Sequence, residues 1–446
     1  MSWDDAPTDV IQIRDGANVL PTTIPIEDMA VAALSAVGLC VAAMWQLRSG
    51  RSQTVTIDRS AAGLSMASAD YLRVDGRTID RFDPITGYYP ARDGDWVYLH
   101  GNFPHLRDGL LELLEVDNDR NAVARAISRW HAEELEQEGI ARGLCAALVR
   151  NRAQWLAHEQ HRAVASLPLI ELTKIGDSPP EPLRAAERPL TGLRMLDLSR
   201  VIAGPMAGRT FAEHGATVMR VASPNLPAIE SLVINTGFGK RSCFIDLDSP
   251  GGVESLKALV SEADVFLDAY RPGALEGRGF GAAQLADMRP GIVSVSLDAW
   301  ARQGPWHARR GYDSLVVATT GLALAESDEQ PKRLPCQPLD YLTGYFAAFG
   351  ALVALMRRAT EGGSWRVSVS LARTADWMWQ MTDAMGLKTD VPPASLTDDE
   401  MANYRLSMES AFGELSFLKP VLEMSNTPAG WATPPVPLGS HPAVWL

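Results

Sequence analysis

Cysteine is scarce in this 446-residue sequence: Cys40, Cys145, Cys243 and Cys336 stand far apart, and no C-x-x-C spacing occurs. That leaves no cysteine-built metal framework and suits reduced thiols, so a cytoplasmic location is expected. No block of basic residues interrupts a net charge of −13, which argues against a nucleic-acid partner. The G-x-x-x-x-G-K-[ST] pattern of a phosphate-binding loop is missing, so ATP held in that way is not supported. His158-Glu159-Gln160-His161 departs from H-E-x-x-H and reads as helix surface, so no metal is expected. Residues 29–45 form the one apolar run that raises a membrane question. The run falls short of a span of about 20 residues. Its acidic flanks, Asp4, Asp5, Asp9, Glu27 and Asp28, have the wrong sign for a signal peptide, so it reads as a core helix and no membrane partner is expected.

What is present is the composition of a soluble globular enzyme, 46% hydrophobic and 21% charged. The length allows roughly two or three domains. Residues 338–371 carry the densest pattern: P-L-D-Y-L-T-G, an apolar helix to Met356, a Gly362-Gly363 turn, and a strand alternating Val367, Val369, Leu371. A helix apolar on nearly every face belongs inside a core. Asp340 stands at its N-terminal end, where the helix dipole favours an anion; a helix cap is the bland reading of that placement.

The same pattern occurs earlier. At an offset of 312, Asp28 pairs with Asp340, Gly38 with Gly350, Val41 with Val353, Met44 with Met356, Gly50 with Gly362 and Val55 with Val367. A gap-free match of helix, turn and strand is an internal repeat. Asp28 lacks the following T-G, with Ala32 where Gly344 stands, and is expected to be a structural relic.

Residues 1–70 are therefore read as an irregular leader (1–23) and the first repeat, and 71–176 as a small α+β domain. Within the latter, Asp93-Gly94 signals a hairpin, residues 71–77 a strand, and 105–165 helices. A Pro-rich linker covers 177–190. Residues 191–384 alternate strands and helices, which implies an open, mostly parallel, Rossmann-like sheet. Residues 385–446 are left as a C-terminal extension. The fold class is α/β: a large parallel-sheet domain with a smaller α+β domain. Loops between strands and helices carry Arg200, Lys240, Arg241, Arg271, Arg278, Arg309 and Arg310, enough local cation for a phosphorylated ligand in an acidic chain. The helix opening at Pro205 adds backbone donors. Gly277-Arg278-Gly279-Phe280-Gly281 lacks the third glycine of the dinucleotide fingerprint and reads as a turn.

In order, L-D-L-S-R-V-I-A-G-P (196–205), H-G-A-T-V, G-K-R-S, D-x-x-x-P-G (268–273), R-P-G-I-V-S-V-S, G-P-W-x-x-R-R-G-Y-D (304–313) and L-D-Y-L-T-G resemble the family III CoA-transferases, the CaiB/BaiF-like proteins. The resemblance covers roughly residues 189–371, and the tail P-V-P-L-G-S-H also resembles theirs. It implies a Rossmann-like large domain with a small domain, and interlocked homodimers. It also implies coenzyme A as co-substrate and, as partners, an acyl-CoA donor with a carboxylic acid acceptor, as in formyl-CoA or carnitine-CoA transferases. By resemblance Asp340 is the acyl-carrying nucleophile. Val201, Ile202, Ala203, Lys240, Tyr270, Ala274 and Arg310 are the coenzyme A contacts. The order of parts is permuted or partly duplicated, since a second Asp helix and a small-domain segment come first.

Such chemistry needs a carboxylate that is desolvated and aimed, with backbone donors for the oxyanion and no general base. Asp313 is a candidate for orienting the site, against its reading as the cap of a helix over 314–323. Two alternatives stay open. A 2-methylacyl-CoA racemase would need an acid/base pair, and Tyr312 stands where such enzymes carry His, leaving His307 only if its loop folds inward. A silent CoA-binding subunit would have little reason to keep D-x-x-T-G.

Overall fold

A computed structural model describes residues 10–327, 329–392 and 396–445. Its centre is a seven-stranded sheet in the order Lys240–Phe244, Thr217–Ala222, Arg194–Leu198, Val265–Asp268, Val293–Asp298, Ser364–Ser370 and Glu171–Gly176. The first six are parallel and the last antiparallel. Numbered along the chain, the parallel strands run 3-2-1-4-5-6, the Rossmann order. The order reverses between Arg194–Leu198 and Val265–Asp268, and a crevice opens beyond their carboxyl ends, where the chain leaves in opposite directions. Val293–Asp298 is buried along its whole length, as a central parallel strand covered on both faces must be.

The Pro338–Glu361 helix lies under this sheet, buried on nearly every face, and packs on the Ala203–Glu213 helix. Gly344 makes that approach possible, because a Cβ there would lie 2.6 Å from the Ala203 carbonyl oxygen. The hydroxyl of Thr343 turns the other way and bonds Thr374 at 2.7 Å. The T-G of the motif is thus a packing device that seats the helix and Asp340 with it.

The repeat is structural. The Ile26–Ser49 and Pro338–Glu361 helices are both 24 residues long, and their ends match at the offset of 312. Each ends at a positive-φ glycine, Gly50 or Gly362. Each following strand, Val55–Asp58 or Ser364–Ser370, supplies a side-chain cap, Asp58 or Ser370, to the next helix. Each strand also has one parallel and one antiparallel neighbour, with Glu423 opposite Thr56 and Glu171 opposite Ser368. The two helices pack together in one core. Both are apolar and long enough to cross a membrane by length and composition, yet each packs within the protein.

The small domain joins the sheet Gly87–Pro90, Trp96–Leu99, Ala146–Leu148 to helices Pro104–Leu114, Arg120–Ile127 and Ala132–Ala141 around its own core. The hairpin turns at Gly94 as expected (φ 87°). Several boundaries are corrected. The leader holds a strand, Ile11–Arg14, because its apolar residues pair with Val55–Asp58. Residues 68–71 are helical, leaving only Arg73–Val74 extended. Glu171–Gly176, placed by the sequence in the small domain, closes the large sheet. Residues 385–446 are no appendage: the hairpin Arg405–Ser410/Gly413–Leu418 pairs with Arg73–Val74, and Leu422–Met424 pairs with Val55–Asp58.

Candidate active site

Asp340 is the third residue of its helix, so it is not the cap; Gln337 holds that place and makes no side-chain cap bond. The helix start is capped from elsewhere. Asp313 Oδ2 accepts the backbone N–H of Leu339 at 2.8 Å and of Asp340 at 3.2 Å. Asp313 does not cap its own short helix, Asp313–Thr319, which follows Tyr312 without a side-chain cap. Its orienting role is therefore the one the geometry supports. The donors at the start of the Asp340 helix are consequently occupied, a correction to their expected use for an oxyanion.

Asp340 is 7% exposed, and its carboxyl makes no hydrogen bond among the described residues. Burial, and then the charge of Asp313, push its pKa well above the ordinary carboxylate value. Burial raises Asp313 too, but its two N–H donors favour charge there, so the proton the pair retains sits on Asp340. A bare, desolvated carboxyl that is costly to ionise is a strong nucleophile once ionised.

Two spaces meet at Asp340. A broad groove with a cavity volume of about 900 Å³ runs over the switch point, lined by residues 200–205, 269–271, Ala274, 297–299, 310–312 and the loop 224–227. Val201, Ile202, Ala203, Tyr270, Ala274 and Arg310 all line it. The Ala203–Glu213 helix presents its N-terminus here, with no side-chain cap and with no acceptor for the N–H of Ala203 or Gly204 among the described residues. Gly204 is required, since a Cβ would come within 2.4 Å of Ser199 Cβ. Arg200, Arg271 and Arg310 supply positive charge, and none has a carboxylate partner among the described residues. Burial and then the charges of Arg310 and Arg200 hold the nearby His105 below its ordinary pKa, which reports a positive field. On its far side Asp340 faces a smaller pocket with a cavity volume of about 50 Å³, walled by Tyr88, Tyr98, His100 and Tyr312 with Arg81 and Arg333. Arg333 rests on the Phe82 ring, 3.5 Å from its centroid, without a carboxylate partner among the described residues.

Other expected residues are elsewhere. Lys240 is 2% exposed; its Nζ donates to Asp197 at 2.7 Å and to the Pro205 carbonyl at 2.6 Å, behind the Ala203–Glu213 helix and outside the groove. Burial lowers its pKa to about 8. The Gly208 position is the reason it fits, since a Cβ there would lie 2.7 Å from Asp197 Oδ2. Arg309 is buried with Arg150 around Glu136, which ties its loop to the small domain. Arg278 pairs with Asp248 on the surface. Asp28 is held by Arg59 through bonds of 2.6 and 2.7 Å, in keeping with a structural relic. His307 is exposed, bonded to the Gly304 carbonyl, and does not line the groove. His158 caps a helix through Gln160 N, and no group of metal-binding side chains forms among the described residues.

Pro104, His105, Tyr88, Tyr98, His100 and Arg333 were not anticipated. Most of them come from the small domain across the groove, and their sequence neighbourhoods carry no motif.

A Rossmann-ordered sheet thus sets a buried carboxyl at the edge of a groove that carries Arg200, Arg271 and Arg310. Residues 190–407 match the family model of CoA-transferase family III. The chain is 30% identical to the acetyl-coenzyme A transferase nodX of Hypoxylon pulicicidum over 66% of this chain and 54% of that protein. It is 28% identical to an acyl-CoA transferase of Gibberella moniliformis, over 94% of this chain and 88% of that one. A solved structure from Mycobacterium tuberculosis, described as a hypothetical protein, shares 30% identity over 44% of this chain and 58% of its own, with a TM-score of 0.41. The chain thus spans little more than half the length of the first of these relatives.

Proposed function

We propose that the protein moves coenzyme A from an acyl-CoA thioester to a carboxylic acid, with Asp340 as the covalent carrier. The observation that carries this reading is the Asp340 carboxyl itself: buried, free of hydrogen bonds among the described residues, and set where the groove and the side pocket meet. The groove suits coenzyme A, since Arg200, Arg271 and Arg310 can meet phosphates by charge-assisted bonds. The side pocket suits the acids, with Arg333 as the cation for an incoming carboxylate.

In the forward half-reaction the ionised Asp340 attacks the thioester carbonyl. The C–S bond breaks, coenzyme A leaves as thiolate, and a mixed anhydride remains on Asp340. The thiolate attacks the aspartyl carbonyl of that anhydride, which releases the donor acid and leaves an aspartyl thioester. The acceptor carboxylate then attacks this thioester and expels thiolate again. Thiolate attack on the acceptor's carbonyl in the new anhydride gives the product thioester and restores Asp340. No net proton is consumed, so no general base is required. The N–H groups of Ala203 and Gly204, which line the same groove and have no acceptor among the described residues, are donors for the oxyanion formed at each attack. Asp313 holds the helix start that aims Asp340.

The test is to incubate the protein with acyl-CoA and hydroxylamine and to map the adduct by mass spectrometry. Release of coenzyme A with a hydroxamate at Asp340 is expected, and both should vanish in Asp340→Ala. Release that persists in that variant, or α-proton exchange without release, overturns the reading.

A further inference from the structure

The small domain contributes Pro104 and His105 to the wall of the groove, both from the first turn of the Pro104–Leu114 helix. Arg200, from the parallel-sheet half, lies over the ring of the preceding residue, Phe103, 5.1 Å from its centroid. Arg310 reaches His105 directly, its Nη1 lying 3.4 Å from His105 Nε2. A guanidinium has only donors, so Nε2 is the acceptor of this contact and the imidazole is neutral. The geometry is anchored, because the adjacent Arg309 is buried against Glu136 of the small domain at 3.0 Å. Arg310 Nε is itself buried without a partner among the described residues.

The charges that face His105 are unequal. Arg310 and Arg200 act on it from the parallel-sheet half, and Asp108 from its own helix. Asp108 is exposed and bonded to Arg107 at 2.8 Å, so it offsets little of the positive field. Burial and the two arginines accordingly keep the free ring below its ordinary value of 6.5. A phosphate held by Arg310 reverses this balance. It draws the Arg310 N–H away from Nε2, cancels the repulsion, and offers an acceptor oxygen to a protonated ring.

We propose that His105 is a further ligand-binding residue of the groove: as a phosphate of the coenzyme binds at Arg310, His105 takes a proton from solvent and donates Nε2–H to that phosphate. The inference rests on the groove being the coenzyme A site. It makes the small domain a direct part of that site and couples binding to proton uptake. The ring is neutral in the free protein and charged in the complex, so affinity rises as pH falls. The gain stops where the free ring is protonated as well. No bond of the coenzyme changes in this step, which is separate from the chemistry at Asp340.

The experiment is calorimetric titration of the full chain with coenzyme A in buffers of different ionisation enthalpy, which counts protons taken up per ligand bound. At about pH 7 the wild type should take up roughly half a proton or more beyond His105→Gln. Protons exchanged by the phosphates and by Asp340 are common to both proteins and cancel. His105→Gln should bind coenzyme A roughly tenfold more weakly at about pH 6 and nearly as well as the wild type at about pH 9. His105→Lys, whose charge does not titrate in this range, should restore the affinity without the proton. His105 is exposed, so thermal melting should show both variants folded. Equal proton uptake in wild type and His105→Gln, or a loss of affinity independent of pH, overturns the inference and leaves the groove as the coenzyme site. Failure of coenzyme A to bind the wild type overturns both.

Discussion

Asp313 Oδ2 lies 3.2 Å from the backbone nitrogen of Asp340, so one carboxylate caps the helix that carries the other. Two acids that are remote in the sequence pattern form one electrostatic unit. Asp313 takes the helix donors and, with them, the greater share of the negative charge. Asp340 is left facing the groove with neither donor nor water-like screening. The arrangement fixes the aim of Asp340 at the cost of making its ionisation harder, and two predictions follow from that trade.

Asp340→Asn should abolish transfer and make the protein more stable. A carboxyl whose pKa is raised on folding binds its proton more tightly in the folded state. Stability therefore falls as pH rises above the ordinary value of 3.8 and keeps falling until the folded-state pKa is passed. The amide removes that loss, so the gain should be larger at neutral pH than in acid. Relief of about 1 kcal/mol would lift the melting midpoint by roughly 1 °C in a chain of this length. A midpoint that drops at neutral pH would show that the buried carboxyl is stabilising.

The pH profile of kcat/KM for acyl-CoA should rise with pH, because the reacting form is the ionised one and burial with Asp313 favours the protonated one. Asp313→Asn keeps an oxygen acceptor for the two N–H groups and removes the like charge. The inflection should then move to lower pH, while the maximal rate changes less. An inflection that stays in place would separate the two acids and leave Asp313 a purely structural cap.

These features were unequally visible in the sequence. The repeat and the parallel sheet were legible because periodicity and the shared offset are local properties of residues 26–58 and 338–370. Asp340 stood out at the head of an apolar helix, but that place alone reads as a cap, and its expected role came from the resemblance of L-D-Y-L-T-G. Asp313 was half legible: an acid just before a helix looks like that helix's own cap, and only the fold shows that it serves a helix beginning 25 residues later. Lys240 misled because a strand-end cation looks the same whether it faces the crevice or, as here, a buried aspartate. His105 and Tyr98 left no trace, since they join the site across a domain contact. Glu171–Gly176 misled for a similar reason, its partner strand lying far along the chain.

The Lys240 assignment can be tested against the arginines. Lys240→Met strands Asp197 in a dry core, a loss of about 3–5 kcal/mol in stability, whereas the KM for acyl-CoA of the folded protein should hardly change. Arg310→Gln and Arg271→Gln should do the opposite, leaving the melting midpoint in place and raising that KM several-fold, about 1.4 kcal/mol corresponding to each tenfold. Thermal melts paired with saturation curves decide it. A folded Lys240→Met protein with a strongly raised KM would put this lysine on the coenzyme after all.

Asp28 offers the sharpest control, because it is the same residue type at the same place in the repeat. It is engaged by Arg59 through two short bonds, while the matching position beside Asp340 is Leu371, which cannot pair with it. An aspartate tied to a guanidinium is a poor nucleophile, since attack would have to break both bonds. Val31 and Ala32, where the second unit has Thr343 and Gly344, also remove the device that seats the helix. Asp28→Asn should therefore leave the transfer rate and the Asp340 adduct unchanged. Its cost in stability should stay within about 1 kcal/mol, because the pair is partly open to solvent. Kinetics and adduct mapping on this variant beside Asp340→Asn show whether one carboxyl or two carry the reaction. Loss of turnover with Asp28→Asn would mean that the first unit is catalytic and that its arginine moves aside when substrate binds.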